Sequence, residues 1–201
     1  MGKSRAEEMS FWTVEEFKQF IDCVMDKRQP YMAFMVLNWT GIRLGELLAL
    51  TAADVDFEKR TISITKSYQC LGKKDVITPP ETSKTKRVIT IPEFLAADIK
   101  DYIDNLYGVG ENDRMFPITK YFLEHEIKRG IKESGVKKIR IHDLRHSHAS
   151  MLIELGFSPL EIADRLGHEK VETTLNTYSH LYPNKQAKLA DRLDSENREA
   201  M

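Results

Sequence analysis

A chain of 201 residues, 41% apolar and 30% charged, suits one domain with a sizeable buried core. Its net charge of −1 argues against a domain that is basic all over. The charge is uneven, however: residues 59–140 carry 17 basic and 11 acidic side chains, against 6 and 10 in residues 1–58 and 7 and 10 in residues 141–201. The middle third is therefore the expected phosphate-facing part, although a solvated basic face explains the same numbers equally well.

In chain order, residues 1–10 lack the apolar run of a signal peptide, and Ala6 stands where a myristoylation pattern needs Ser or Thr. Thr13-Val14-Glu15-Glu16 reads as a capping box, followed by Phe17, Phe20, Ile21 and Val24 at helical spacing, with Cys23 as a small core residue. A second helix is predicted over 30–38 with Pro30 at its start, and a short third one over 43–50 after the Thr40-Gly41 break. Asn38, Arg43 and Glu46 interrupt this apolar region, which makes it a core helix pair and not a membrane span. Cys23 and Cys70 form no CxxC, and a reduced, cytoplasmic setting is expected. Period-two alternation over 61–65 and 87–91 predicts two strands of a small antiparallel sheet, with exposed, Lys-rich turns between them. Helices then follow over 93–107, 120–133 and 143–155, the last stopped by Gly156. Ser158-Pro159-Leu160-Glu161 starts another, 172–178 forms a further short one, and 184–198 reads as a detached polar helix. No internal repeat is present.

Five places hold side chains suited to phosphoryl transfer. Arg43 follows a Gly break in apolar sequence, and a guanidinium cannot shed its charge, so it needs an anionic partner. Glu46, three residues on, supplies a purely structural one. Ser83-Lys84-Thr85-Lys86-Arg87 is a basic cluster at a strand mouth, and an ordinary charged hairpin accounts for it as well. In His142-Asp143-Leu144-Arg145-His146, His142 and Arg145 share a helical face and could meet one phosphate. His168 and Tyr178 lie ten residues apart near the C-terminal end.

Arg43 in TGIRLGELLAL, His142 and Arg145 in HDLRHSHAS, and His168 and Tyr178 in LGHEKVETTLNTYSH together resemble, in order and spacing, the signature boxes of tyrosine recombinases of the phage integrase family. The resemblance covers residues 11–182 and implies the α+β, mainly α-helical catalytic fold of that family, with a small antiparallel β-sheet on one edge. It implies that Arg43 and Arg145 clamp the scissile phosphate, that His142 and His168 are the paired histidines, and that Tyr178 is the nucleophile. Lys84 resembles the hairpin lysine that acts as general acid, with Lys86 two residues away as the alternative. Glu46 and His146 are supporting residues. Residues 1–10 would then be a linker, 11–182 the catalytic domain of a longer protein with N-terminal DNA-binding domains, and 183–201 a tail helix exchanged between protomers. The partners implied are double-stranded DNA, further protomers on it, and accessory DNA-bending or directionality proteins, with no membrane.

The chemistry fits those residue types. A tyrosine hydroxyl, with a pKa of about 10, needs positioning and a proton acceptor. Guanidiniums meet the growing charge on the non-bridging oxygens and stay cationic throughout. A phosphotyrosine ester keeps the energy of the broken bond, so no metal, ATP or other cofactor is called for. Two rival readings remain. His142 and His146, four apart, resemble a zinc-binding HxxxH, which would leave Arg145 badly placed beside a cation. Residues 158–175 also read as a helix-turn-helix of a non-catalytic DNA-binding module, which gives no use for Arg43, Lys84 and Tyr178 together. His125, His148 and His180 are read as surface or packing residues, and Trp12 and Trp39 as packing.

Overall fold

A computed structural model of the chain describes residues 10–72, 74–79, 86–182 and 186–199. The N-terminal helix α1 (Val14–Asp22) starts as its sequence dictates: Thr13 Oγ1 accepts the Glu16 N–H at 3.2 Å, and Glu16 returns a carboxylate oxygen to the Thr13 N–H at 2.8 Å. It buries Phe17, Phe20 and Ile21 against α2 (Arg28–Thr40) and α5 (Lys120–Ser134). Burial of a side chain such as Phe20 contributes about 2–3 kcal/mol. Helix α2 begins before Pro30, which sits in the first turn where its missing N–H costs nothing. The short α3 (Leu44–Ala49) follows after Gly41. Cys23 is half-buried at the C-cap of α1, where the helix leaves the core, and so is not the core residue its spacing suggested.

The β-structure is richer than the alternation predicts. Strands β1 (Val55–Asp56), β2 (Thr61–Ile64) and β5 (Arg87–Thr90) form one antiparallel sheet in the order β1-β2-β5, with Ile62 opposite Ile89 and both buried. The Lys-rich stretch expected to be turns instead forms a separate hairpin of β3 (Ser67–Leu71) and β4 (Lys74–Thr78). Its largely exposed faces hide it from a hydrophobic pattern. It is anchored by Tyr68, whose hydroxyl donates to Asp75 at 2.7 Å while Arg114 lies over its ring at 4.4 Å.

The remaining helices are α4 (Glu93–Asp104), α6 (Asp143–Glu154), α7 (Pro159–Leu166), α8 (Val171–Tyr178) and α9 (Gln186–Glu199). Most apolar side chains join one core running from Trp12 to Leu144. A second, smaller cluster lies beneath α6, α7 and α8 and consists of Ala149, Ile153, Ile162, Leu166 and Tyr178. Trp12 is buried, and Trp39 packs edge-on against Phe94, both as expected. Among the described residues, no helix is long and apolar enough to cross a membrane.

Candidate active site

The site forms where the start of α3, the start of β5, one face of α6, the α7–α8 turn and the end of α8 meet. Helix α6 supplies its floor. Arg145 is 5% exposed, and its guanidinium donates to two backbone carbonyls, Gly41 O and Leu166 O, each at 2.7 Å. Both carbonyls end helices, so each carries part of a helix's negative pole. Gly41 is needed there twice over: its φ is +69°, and a Cβ would stand 2.6 Å from the His148 ring. Burial, followed by repulsion from Arg43, pulls the Arg145 pKa down to about 9, which leaves it cationic at neutral pH and short of negative charge nearby.

Arg43 is held differently. Its side chain is 41% exposed, and Nη1 donates to Glu46 Oε1 at 3.0 Å while its backbone N–H donates to Glu46 Oε2 at 2.8 Å. The structural partner expected for Arg43 is thus present, and Glu46 serves at the same time as the cap of α3. Glu46 is also gripped by Arg87 of β5 through a two-pronged contact, Nη1 to Oε1 at 3.0 Å and Nη2 to Oε2 at 2.8 Å. Burial would raise the Glu46 pKa, but the hydrogen bonds and charge of Arg87, ahead of those of Arg43, hold it below the usual carboxylate value.

Tyr178 closes α8 with 1% exposure, and its hydroxyl lies 2.8 Å from His146 Nδ1. Burial pushes the phenol up to about 12, with Arg145 opposing. His146 is half-buried and stacks edge-on to the ring of His142. Its own pKa is lowered by burial and then by His142, which favours a neutral ring able to accept the phenolic proton. His142 occupies the N-cap of α6 and is exposed, with its pKa lowered by burial and then by Arg145. His168 follows Gly167 at the end of α7, with Nδ1 2.7 Å from the hydroxyl of the fully buried Thr174. Burial, then Arg145, Arg43 and Arg87, bring it down to about 4. The fields of these residues act on one another, which places Arg43, Glu46, His142, Arg145, His146, His168 and Tyr178 in one region of the molecule. Lys84 lies outside the described residues.

Four contributors were missed or underrated by sequence reasoning. Arg87 belongs to the basic cluster 83–87 that suits phosphoryl transfer, but sequence gives it no role of its own. Thr174 fixes the His168 ring and has no motif of its own. His146 reaches the Tyr178 hydroxyl across 32 residues of sequence. His148, assigned to surface or packing, is 1% exposed and central to the packing: it bonds Asn38 O through Nδ1 at 2.8 Å and accepts Arg165 Nε at 2.9 Å. The proposed helix-turn-helix over 158–175 does form two helices and a turn, but that turn carries His168 and its second helix carries Tyr178.

The architecture is that of tyrosine recombinase catalytic domains. It superposes on the catalytic domain of bacteriophage HP1 integrase with a TM-score of 0.64 at 21% identity, covering 92% of this chain and 95% of that one. It also superposes on the Tn1549 transposon integrase in complex with transposon right end DNA, with a TM-score of 0.79 at 22% identity, covering 99% of this chain and 68% of that one. In sequence, residues 10–185 match the Phage integrase family. The chain is 35% identical over 200 residues to the ICEBs1 integrase of Bacillus subtilis, covering 92% of this chain and 54% of that protein. It is 31% identical over 185 residues to transposase A of transposon Tn554 from Staphylococcus aureus, covering 83% and 47%. The chain belongs to the phage integrase family, and it spans about half the length of the curated relatives it matches.

Proposed function

We propose that this chain catalyses site-specific DNA strand exchange of the kind that integrates and excises a mobile element, through a covalent 3′-phosphotyrosine link to Tyr178. The observation that carries the reading is a phenol hydrogen-bonded to a histidine, 2.8 Å apart, beside a buried guanidinium held only by neutral carbonyls among the described residues. That guanidinium keeps its full charge for an incoming anion. The names of the relatives, an integrase and a transposase, and the DNA in the Tn1549 integrase structures support the same reading.

In this scheme the scissile phosphate sits between Arg43 and Arg145, with His142 and His168 hydrogen-bonding its oxygens. The Tyr178 oxygen attacks phosphorus and its proton passes to His146 Nδ1. The bond from phosphorus to the 5′ oxygen breaks, and Lys84 protonates that oxygen. A second 5′-hydroxyl then attacks the phosphotyrosine and gives its proton to Lys84, while the bond from phosphorus to the Tyr178 oxygen breaks and that oxygen takes back its proton from His146. The arginines supply the charge that a metal would otherwise bring, so neither Mg²⁺ nor ATP takes part. Residues 11–182 act as the catalytic unit, partnered by double-stranded DNA, by further protomers and by accessory DNA-bending or directionality proteins. The tail, 183–201, passes to a neighbouring protomer.

The test is incubation with a nicked duplex carrying the DNA junctions that flank the gene, in which cleavage lets the 5′ fragment diffuse away and traps the adduct. The parent chain should form a denaturant-resistant protein–DNA species that Tyr178→Phe does not form, with DNA affinity retained. An adduct that survives in Tyr178→Phe moves the nucleophile elsewhere. A parent that binds the duplex and never becomes attached supports a non-catalytic DNA-binding module.

A further inference from the structure

Glu46 stands at a crossroads that the reaction scheme leaves unexplained. Each of its two oxygens accepts one hydrogen bond from Arg43 and one from Arg87. Both Glu46 and Arg87 are withdrawn from solvent, with side chains 4% and 7% exposed, whereas Arg43 is 41% exposed. Among the described residues, Arg43 commits a single guanidinium donor, Nη1, to this carboxylate. Arg87 commits both of its terminal nitrogens, and its Nε donates to Arg165 O at 3.0 Å. Its side chain also lies close against Gly167, whose φ is +69° and where a Cβ would come within 2.9 Å of Nη1. Consecutive carbonyls at the end of α7, those of Arg165 and Leu166, therefore seat Arg87 and Arg145 respectively.

We propose that Arg87 is a positioning residue for strand cleavage: by taking up most of the Glu46 carboxylate, it keeps Arg43 anchored yet incompletely neutralised, with donors left for the scissile phosphate. This rests on the function proposed above. Shared with Arg87, the Glu46 carboxylate neutralises Arg43 less completely than it would alone. With Arg87 removed, Glu46 and Arg43 would close into a one-to-one pair, and the phosphate would have to compete with a carboxylate for the same fork. Because Arg87 is docked on α7, it also sets where Arg43 stands relative to Arg145 and His168. Among the described residues Arg87 bonds Glu46 and the Arg165 carbonyl, and it acts on the reaction through Glu46 and Arg43.

The experiment measures single-turnover adduct formation on the nicked junction duplex, alongside an identical duplex with a methylphosphonate at the scissile position. The methylphosphonate removes one charged non-bridging oxygen and with it much of the need for a clamp. Arg87→Gln is expected to slow adduct formation on normal DNA by about 10–100-fold, less than the 10²–10³-fold typical of a donor that meets the transition state directly. Arg87→Lys should recover part of the rate, since it keeps the charge and loses the fork. The double variant with Arg43→Ala should be no slower than Arg43→Ala alone, and on methylphosphonate DNA the Arg87→Gln defect should shrink to within about threefold of the parent. A defect that adds fully to that of Arg43→Ala, or persists on the neutral substrate, would mean that Arg87 only holds up the fold and would overturn the inference. A second readout needs no DNA: the guanidinium NMR signals of arginine-labelled protein. The Arg43 signal, identified by its loss in Arg43→Ala, should shift in Arg87→Gln, and an unmoved signal sinks the inference whatever the kinetics. If that signal responds while the parent forms no adduct, the coupling of Arg87 to Arg43 stands and the proposed function fails.

Discussion

The two arginines of the site are kept in place by opposite means. Arg145 lies in the packed half formed by α6, α7 and α8, is 5% exposed, and is fixed by two carbonyls with no net charge. Arg43 lies on the open half near the β-edge, is 41% exposed, and is fixed by a carboxylate. Carbonyl dipoles orient a guanidinium without cancelling it, at the cost of burying an uncompensated cation. A carboxylate orients and cancels together, so the open half needs a further cation, Arg87, to restore the balance. In the proposed scheme, a phosphate arriving between them gains most from the first arginine and is steered by the second.

The strongest test of that contrast removes one member of each half. Arg145→Met deletes a buried, unbalanced charge that the fold tolerates rather than needs. Adduct formation should fall by about 10²–10³-fold, while the melting temperature stays within about 3 °C of the parent, the loss of two hydrogen bonds being offset by relief of desolvation. Glu46→Gln does the reverse to the fold, taking from Arg43 and Arg87 the carboxylate that they share. It should cost about 3 kcal/mol, roughly 10 °C in melting temperature. Calorimetry on both variants decides the matter: if Arg145→Met is the less stable of the two, the carbonyl seat is not the strained element described here.

A smaller effect separates the halves by pH. His148, beneath the packed half, is brought down to about 3 from the ordinary histidine value of 6.5, by burial and then by Arg165. Between those limits the unfolded chain takes up a proton that the folded one refuses. The stability associated with neutral His148 is therefore complete above pH 6.5 and declines as the pH falls toward 3, by about 1.4 kcal/mol per pH unit. His168 at about 4 adds in the same direction, and Glu46, held below its usual value, contributes only at the acid end. Urea unfolding from pH 7 to 4.5 should show this slope in the parent and a shallower one in His148→Gln. Equal slopes would place the titration elsewhere.

The same contrast explains what could be read from sequence. The boxes around Arg43, Arg145, His168 and Tyr178 were legible because their order and spacing resemble the family's signature; helical spacing alone put only His142 and Arg145 on one face. The capping boxes at Thr13 and Ser158 fixed helix starts to the residue. What stayed hidden depends on which face meets which. Arg87 gains its role from α3 and α7, elements 41 and 78 residues away along its contacts with Glu46 and Arg165. The β3–β4 hairpin buries Tyr68 but is otherwise largely exposed, so no hydrophobic alternation announces it. His146 and Tyr178 look like neighbours of the motif and become partners only when α8 folds back over α6.

The smallest expected effect concerns the tail, and it bears on how the packed half is released. Tyr178 is 1% exposed, so its hydroxyl reaches a phosphate lying toward Arg43 only if the end of α8 shifts. Helix α9 (Gln186–Glu199) follows Tyr178 closely, and its Ala190 and Leu193 are exposed, Leu193 at 62%. A polar helix of 14 residues is marginal without a surface to dock on. If that surface belongs to a neighbouring protomer, as the proposed function has it, docking pulls on the segment after Tyr178 and loosens the packed half only in an assembled complex. Deleting residues 186–201 should then leave the melting temperature within about 2 °C of the parent. It should leave binding to a single site unchanged and weaken assembly on paired sites several-fold in a mobility-shift titration. A truncated chain that pairs sites as well as the parent would show that Tyr178 is released by DNA contact alone, and that the packed half opens without help from a second protomer.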